Sequence, residues 1–443
     1  MVGEIGGMSS VSSAGPVDEV EHATCIACGC LCDDIVVAVA DGQIVRAGNA
    51  CPVGERWFLS ERSRSGVPDA WLEGQPVTRD EAIARACLLL GEARAPVFLG
   101  LSRCTTETTA AALALADHVR ATIDTDVGGA ATARLQAFQR VGRVSATLGE
   151  VKNRADVVVF WGCDPVKTHP RHFERYSAEP RGRFVPEGRE GRTVIVVDAE
   201  RTASAECADL FVPVATERGF ETLWTLRALL RGVVLDGSRV ARATGLELNA
   251  LAALVGRLKH ARYGAWFYGS QGADSSLIEA MFALVRDLNA STRFVAVSLG
   301  GAGNPVGAES ATAWQTGFAG RVDFQLGYPR SWPGETSAES LLLRGEADLA
   351  VVVGEEAASG LSRQARANLG QIPVIRIAPP GSELGDGATV AFATATEGID
   401  AGGTVARADG VLLPLRPALP PRLPTDREWL AALLDHFAGG NGA

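Results

Sequence analysis

No apolar run in this 443-residue chain reaches the roughly 18 residues that a membrane-spanning helix needs, so a bilayer is not expected to be its home. Basic charge is short as well. With 42 Lys and Arg against 52 Asp and Glu, the net charge is −10, which argues against nucleic acid or an anionic lipid surface as the main partner. Met1 to Pro16 has neither a basic n-region nor an apolar h-region. It reads as a disordered Gly- and Ser-rich leader and not a signal peptide, with the cytoplasm as the expected compartment. There is no G-x-S-x-G elbow, no Walker A loop and no H-E-x-x-H, which leaves hydrolase, NTPase and zincin readings without support. No repeat recurs at solenoid-like spacing. What is present is a mildly acidic globular composition, 47% apolar and 21% charged, long enough to bury a large core in two or three domains.

Cysteine is the concentrated exception. Five of nine cysteines fall within 27 residues, as Cys25-Ile-Ala-Cys28-Gly-Cys30-Leu-Cys32 followed by Cys51. In a non-secretory chain, thiols this dense are metal ligands more often than disulfides, because reducing compartments keep them free and a soft metal takes several thiolates at once. Cys25, Cys28 and Cys32 (C-x2-C-x3-C) fit one loop. Cys51 returns after a strand, Ile35–Ala40, and an Asp41-Gly42 hairpin signal. Three ligands close together and a fourth from afar suit a [4Fe-4S] cluster. A structural zinc, which usually draws on two C-x2-C pairs, and cysteines that bind nothing remain as alternatives. Cys30 is left over and is expected to pack beneath the loop. Cys87, Cys163 and Cys207 are scattered singly and read as buried structural thiols.

Beyond this module, Glu55 to Arg64 reads as a short helix and Gly66 to Pro76 as a turn-rich connector. Thr78-Arg79-Asp80-Glu81 opens a helix with a capping box. Strands are expected at Pro96–Leu101, Asp156–Phe160, Thr193–Val197, Leu210–Val214, Gly264–Tyr268, Phe294–Val297, Leu349–Val353, Val374–Ile377 and Thr389–Phe392. Helical patterns lie between them at Thr106–Arg120, Arg218–Arg231, Ser275–Leu288 and Ser362–Leu369. Alternation of this kind predicts an α/β fold of Rossmann-like doubly wound parallel sheets, and the number of strands calls for at least two. The expected division is a leader at 1–20, a Cys-rich iron–sulfur module at 21–66, a Rossmann-like domain at 67–260, itself discontinuous, a second at 261–395, and a C-terminal extension at 396–443. That extension holds a Pro-rich extended stretch, Pro414 to Pro424, and an amphipathic helix, Arg427–Phe437.

The C-x2-C-x3-C run followed by alternating α/β segments resembles the molybdopterin oxidoreductases. Three stretches resemble the B subunit of formylmethanofuran dehydrogenase more narrowly: Leu31-Cys32-Asp33-Asp34-Ile35; Phe160 to Pro165 with Thr168-His169-Pro170-Arg171-His172-Phe173; and Gly398 to Thr404. The likeness extends to the B subunit of the bacterial formyltransferase/hydrolase complex, which handles formyl groups on a methanofuran-type carrier in methylotrophs. It implies a cluster held by Cys25, Cys28, Cys32 and Cys51, and partnership with the other subunits of such a complex. It further implies a molybdopterin or tungstopterin guanine dinucleotide held by loops after strands, with Gly162, Asp164, Asp198 and Arg201 in the binding role. Gly269 to Gly272 is a third loop of that character. Gly and Asp after strands are also ordinary turn residues, and His169 and His172 can serve only to fix a helix start.

In the active dehydrogenases the strand-to-helix turn that matches Gly100 to Ala110 supplies a cysteine or selenocysteine to the metal, in a sequence resembling N-T-T-C. Aligned on Thr105-Thr106, this chain has Glu107 there, a hard carboxylate in place of a soft thiolate. Cys104 is the runner-up, set back by about 4.5 Å along a helix. The resemblance therefore implies a scaffold with a degraded redox site, or else an active oxidoreductase interconverting formylmethanofuran with CO2 or formate. Gly301 to Ala308 and Trp314 to Phe318 resemble stretches bordering the cofactor cavity. Tyr328-Pro329-Arg330 and Trp332 to Glu335 resemble a cavity mouth or subunit interface, with Arg330 expected in a surface salt bridge.

Overall fold

The computed structural model of this chain describes residues 17–60, 66–126, 128–269, 275–332, 334–354, 357–381, 384–385 and 387–440. The amino-terminal module is an antiparallel sheet of β1 (Asp18–Ala23), β2 (Ile35–Ala40) and β3 (Gln43–Gly48), in that order. Asp41 and Gly42, at φ 51° and 69°, make the tight turn between β2 and β3 that their sequence predicts. Strand β1 thus reaches into the span expected to be leader, while residues 1–16 lie outside the described residues. The first helix, α1 (Pro52–Ser60), begins three residues before the expected Glu55. Proline at the first helical position lacks only an N–H that would have had no partner there.

Gly66 to Pro76 is more than a connector, since it holds the edge hairpin β4 (Ala70–Leu72) and β5 (Gln75–Val77), turning on Glu73 and Gly74 at φ 49° and 78°. The capping box forms on α2 (Arg79–Glu92): Thr78 Oγ accepts from the Glu81 N–H at 3.3 Å, and the Glu81 carboxylate accepts from the Thr78 N–H at 2.9 Å. Next come β6 (Pro96–Gly100), buried throughout, then α3 (Thr106–His118) and β7 (Thr122–Thr125).

A five-stranded sheet follows, made of β8 (Val157–Trp161), β9 (Thr193–Asp198), β10 (Leu210–Pro213), β11 (Gly264–Gly269) and β12 (Phe294–Leu299). Its order is β10-β9-β8-β11-β12 and every pairing is parallel. The expected division at 260 and 261 falls within this sheet, because β11 pairs with β8 across about 100 residues of chain. The chain then returns to the earlier strands. With β13 (Arg321–Asp323), β14 (Leu349–Val353), β15 (Val374–Ala378) and β16 (Val390–Ala393), an eight-stranded sheet is completed in the order β13-β7-β6-β14-β15-β16-β4-β5. Its centre, β7 to β16, is parallel and its edges are antiparallel. Val-, Ile- and Phe-rich central strands suit this setting, where helices cover both faces.

Both sheets are doubly wound, and each reverses winding direction once: between β8 and β11 in the first, between β6 and β14 in the second. A last hairpin, β17 (Gly403–Ala406) with β18 (Leu412–Leu415), lies against α3, and β18 takes the start of the stretch expected to be merely extended. The helix Asp426–Gly440 buries Trp429, Leu430 and Leu433 in the core of the eight-stranded sheet. Gly301 to Ala308 leads into a helix, Pro305–Thr316, again with proline in its first turn. Among the described residues no helix is long and apolar enough to cross a membrane.

Candidate metal and cofactor sites

The cysteine loop spans the connection from β1 to β2. The Cys25 N–H donates to the Cys32 carbonyl at 2.8 Å and the Leu31 N–H to the Cys28 carbonyl at 3.2 Å, with Leu31 held at φ 40°. Cys51 stands just ahead of α1. A Cβ on Gly54 of that helix would come within 2.9 Å of Cys25 Sγ and 3.9 Å of Cys51 Sγ, so the glycine leaves room for both sulfurs on one face. All nine cysteines are free thiols. Cys25 lies within electrostatic reach of Cys28, Cys32 and Cys51. Burial pushes the Cys25 thiol well up and raises Cys32, against which the Arg175 guanidinium works. Cys30 is buried under the loop and bonded to Cys28, which lowers the Cys28 thiol. Among the described residues no three His, Cys, Asp or Glu side chains are gathered as a metal-binding set. The donor types, cysteine sulfurs from one loop and one helix start, are those a thiolate-held cluster takes, and Gly54 leaves beside Cys25 and Cys51 a space that a Cβ would fill.

An ion network ties this loop to the stretch after β8. Arg171 grips Asp34 through two nitrogens, each at 2.8 Å, and Glu174 at 2.7 Å. Arg175 reaches Asp34 at 2.8 Å and Asp33 at 3.1 Å. Both arginines lie on the short helical turn around His172–Arg175. The two histidines there are buried anchors: His169 Nε2 bonds the Gly300 carbonyl at 2.8 Å and His172 packs on Phe160 and Phe267. Burial holds His172 down to about 3, a neutral ring.

At the carboxyl edge of the five-stranded sheet, the predicted dinucleotide residues part company. Gly162 and Asp198 line one cleft of about 130 Å³ with Trp161, Thr216 and Tyr268, at the point where the winding reverses. Asp164 turns away to accept from the Ser204 N–H at 3.0 Å and from its hydroxyl, and the Arg201 guanidinium lies 5.6 Å over the Phe211 ring. Of the loop beginning at Gly269, residues 270–274 lie outside the described residues. A larger cleft of about 680 Å³ opens at the reversal in the eight-stranded sheet. It is lined by Ser102, Arg103, Asp124, Thr125 and Asp126, with Gly301 and Ala302 as expected for a stretch bordering a cavity. Burial pushes Asp126 up to about 7, and its carboxylate accepts from the Ser102 hydroxyl. Sequence reasoning missed Asp124 to Asp126. The β-branched run Thr122-Ile123 before them was the available signal.

The turn between β6 and α3 is closed by protein. The Glu107 carboxylate accepts the Thr404 N–H of β17 at 2.9 Å, an interaction that holds it below the ordinary Glu range despite partial burial. Cys104 is 1% exposed and bonds Asp426. Neither is among the residues lining the two clefts. These residues do not fit a thiolate-ligated molybdenum or tungsten: the carboxylate is hard and already committed, and the thiol is sealed. Two other expectations need correction. Cys207 is exposed, because it follows a four-residue helix at the sheet edge, and Arg330 pairs with a buried carboxylate, Asp323.

An amino-terminal cysteine module on two doubly wound sheets, with clefts at both reversal points, defines a molybdopterin-oxidoreductase-like α/β protein. No protein-family model matches the chain. It is 34% identical over 432 residues, 94% of its own length and 98% of the relative's, to the B subunit of the tungsten-containing formylmethanofuran dehydrogenase 2 of Methanocaldococcus jannaschii. It is 31% identical over 288 residues, 64% of its length and 73% of the relative's, to the B subunit of the formyltransferase/hydrolase complex Fhc of Methylorubrum extorquens. The chain belongs to the family of formylmethanofuran dehydrogenase B subunits. Among solved structures, a chain of the FhcABCD complex of Methylorubrum extorquens, crystallised with methylofuran, superposes with a TM-score of 0.71 at 27% identity, over 84% of this chain and 100% of that one. Acetylene hydratase from Pelobacter acetylenicus shares the fold, with a TM-score of 0.65 at 10% identity, over 94% of this chain and 69% of that one.

Proposed function

We propose that the chain is the B subunit of a cytoplasmic multisubunit complex that moves formyl groups on a methanofuran-type carrier, where it serves as scaffold and cluster carrier. The observation that supports this reading is the Glu107 carboxylate spent on the Thr404 N–H, at the turn where the family's active members present a metal-binding sulfur. Cys25, Cys28, Cys32 and Cys51 would hold the [4Fe-4S] cluster, which when bound supplies one-electron chemistry. The protein's own part is to hold those sulfurs, Cys25 and Cys32 buried and Cys28 and Cys51 half-buried, with Gly54 leaving room beside Cys25 and Cys51. Formyl transfer and hydrolysis belong to partner subunits in this reading. Purification of the native complex followed by metal, sulfide and pterin assay tests it. Iron and sulfide without molybdenum or tungsten is the expected result, and stoichiometric tungsten or molybdenum with pterin overturns the scaffold role.

The second reading, an active pterin-metal oxidoreductase, is favoured by one observation: the tungsten-containing relatives align over 94% of the chain. On that reading Gly162 and Asp198, which share a cleft at the sheet edge, are the retained cofactor contacts. The same assay separates the two.

A further inference from the structure

We infer that the amino edge of the five-stranded sheet is the docking surface for an acidic peptide segment of a partner subunit, whose carboxylates meet Arg154, Arg262 and Arg293 and whose apolar side chain lies against Phe184. The inference deepens the reading above, since it needs the chain to belong to a multisubunit complex. Every pairing in this sheet is parallel, so all five strands start at one edge. That edge is opposite the carboxyl edge, where doubly wound sheets take small ligands and where the cleft of about 130 Å³ lies. Three of the starts follow an arginine: Arg154 stands three residues ahead of β8, Arg262 two ahead of β11 and Arg293 one ahead of β12. Glu150, Phe184 and Tyr263 join them around one cleft of about 480 Å³.

The second observation is the Phe184 ring, 47% exposed on a backbone that is tied down on both sides. Its N–H donates to the Asn153 carbonyl at 2.9 Å, its neighbour Val185 is fully buried, and a Cβ on Gly182 would run into the backbone of Lys152 and Asn153. Buried Arg192 clamps the same loop, donating to the carbonyls of Lys152 at 2.7 Å, Pro180 at 2.9 Å and Ala155. The ring is therefore presented to solvent by fixed structure. The guanidiniums of Arg154 and Arg183 lie 4.5 and 5.6 Å from its centroid, which sets cations beside the apolar surface. Aromatic rings with arginine are what the centre of a protein interface is rich in. The present partners of these arginines hold them loosely. Arg154 meets Glu150 at 3.6 Å with both side chains nearly half exposed, Arg262 spends its Nε on Asp156 at 3.0 Å and is otherwise in solvent, and Arg293 pairs with no acid among the described residues. Such exposed pairs contribute little, whereas a carboxylate brought into the cleft takes two parallel N–H bonds from one guanidinium. A polyphosphate backbone fits less well, because the chain carries a net charge of −10 and Glu150 and Asp156 stand beside the arginines. Separate carboxylates on a peptide can be spaced to avoid them.

Two measurements on the full chain test this. Phenylglyoxal, which modifies exposed guanidiniums, is applied to the native complex and to the isolated chain, with modified sites read by mass spectrometry. Arg262 and Arg293 are expected to react in the isolated chain and to be protected in the complex. The second measurement is fluorescence polarisation at low salt with a fluorescein-labelled peptide in which glutamates flank one phenylalanine, and with a control in which glutamines replace the glutamates. Saturable binding of the acidic peptide alone is expected, weakened about tenfold or more by Arg262→Glu with Arg293→Glu, weakened less by Phe184→Ala, and unchanged by Arg344→Gln, at an exposed pair with Glu346. If the double variant fails to fold, Arg293→Gln decides, since Arg293 holds no ion pair to lose. Equal reactivity of the arginines in complex and isolated chain, equal affinity for the two peptides, or tighter binding of a labelled oligouridine than of the acidic peptide overturns the inference and leaves the complex reading intact. A parent chain that purifies without partner subunits overturns that reading first, and the inference with it.

Discussion

A single carboxylate carries much of the functional argument. Glu107 sits in the first turn of α3, where a negative charge is favoured by the helix dipole, and its oxygen takes an N–H from β17 that would otherwise need another acceptor. Glu107→Ala should lower the unfolding free energy by about 1–2 kcal/mol, measured by denaturant titration at neutral pH, because a charge-assisted bond is lost and the Thr404 donor is left unpaired. The pH dependence has a definite sign. The folded-state pKa lies below the unfolded one, so this stabilisation is present above the ordinary Glu range and fades as pH falls through the depressed folded value. Parent and variant should therefore converge in acid. A difference that persists unchanged at low pH would mean that packing, and not the charged bond, accounts for the effect. Glu107→Cys is not expected to restore a metal site by itself, since that side chain position faces β17 and not either cleft.

At the scale of elements, α1 and the cysteine loop are fitted to one another through Gly54. Alanine normally favours a helix interior over glycine by about 1 kcal/mol, but here the added Cβ would lie 2.9 Å from Cys25 Sγ, closer than carbon and sulfur tolerate. The two effects oppose, so Gly54→Ala is expected to fold with stability within about 1 kcal/mol of the parent while its iron uptake on reconstitution falls. Full uptake would show that the Cys25 sulfur need not occupy that place. The cysteine-rich loop was legible in the sequence because Cys25 to Cys32 lie within one short stretch, and the strands β6, β8 and β14 because strands buried on both faces are written as unbroken apolar runs. What holds these elements together was not legible. Asp34 meets Arg171 across 137 residues, and Glu107 meets Thr404 across 297, and no local pattern marks either pairing. Strand β7, Thr-Ile-Asp-Thr, escaped for a related reason: its polar residues serve the 680 Å³ cleft, so it lacks the apolar run that betrays a buried strand.

For the whole molecule, acids fall into two groups, one raised and one lowered. Around the eight-stranded sheet, Asp124, Asp126 and Asp426 are pushed up by burial, the last two to about 7, and Glu397 is raised as well. Around the five-stranded sheet, hydrogen bonds and arginines hold Asp209 and Asp287 below the ordinary range, each against a desolvation cost. The second group stabilises the fold above the ordinary Asp range and loses that contribution in acid. The first group works the other way: the folded state binds the proton more tightly than the unfolded chain, so stability falls as pH rises from the ordinary Asp range to about 7 and then levels. Asp126 is the cleanest place to test this, because an amide in its place keeps an acceptor for Ser102 while removing a charge that is repelled by Asp124 in the same cleft and opposed by Arg103. Asp126→Asn should raise the unfolding midpoint at pH 8 by about 2 °C, on the order of 1 kcal/mol, and leave it unchanged near pH 4. Calorimetric scans at the two pH values would check it. An equal shift at both would place the effect in packing and not in the buried charge.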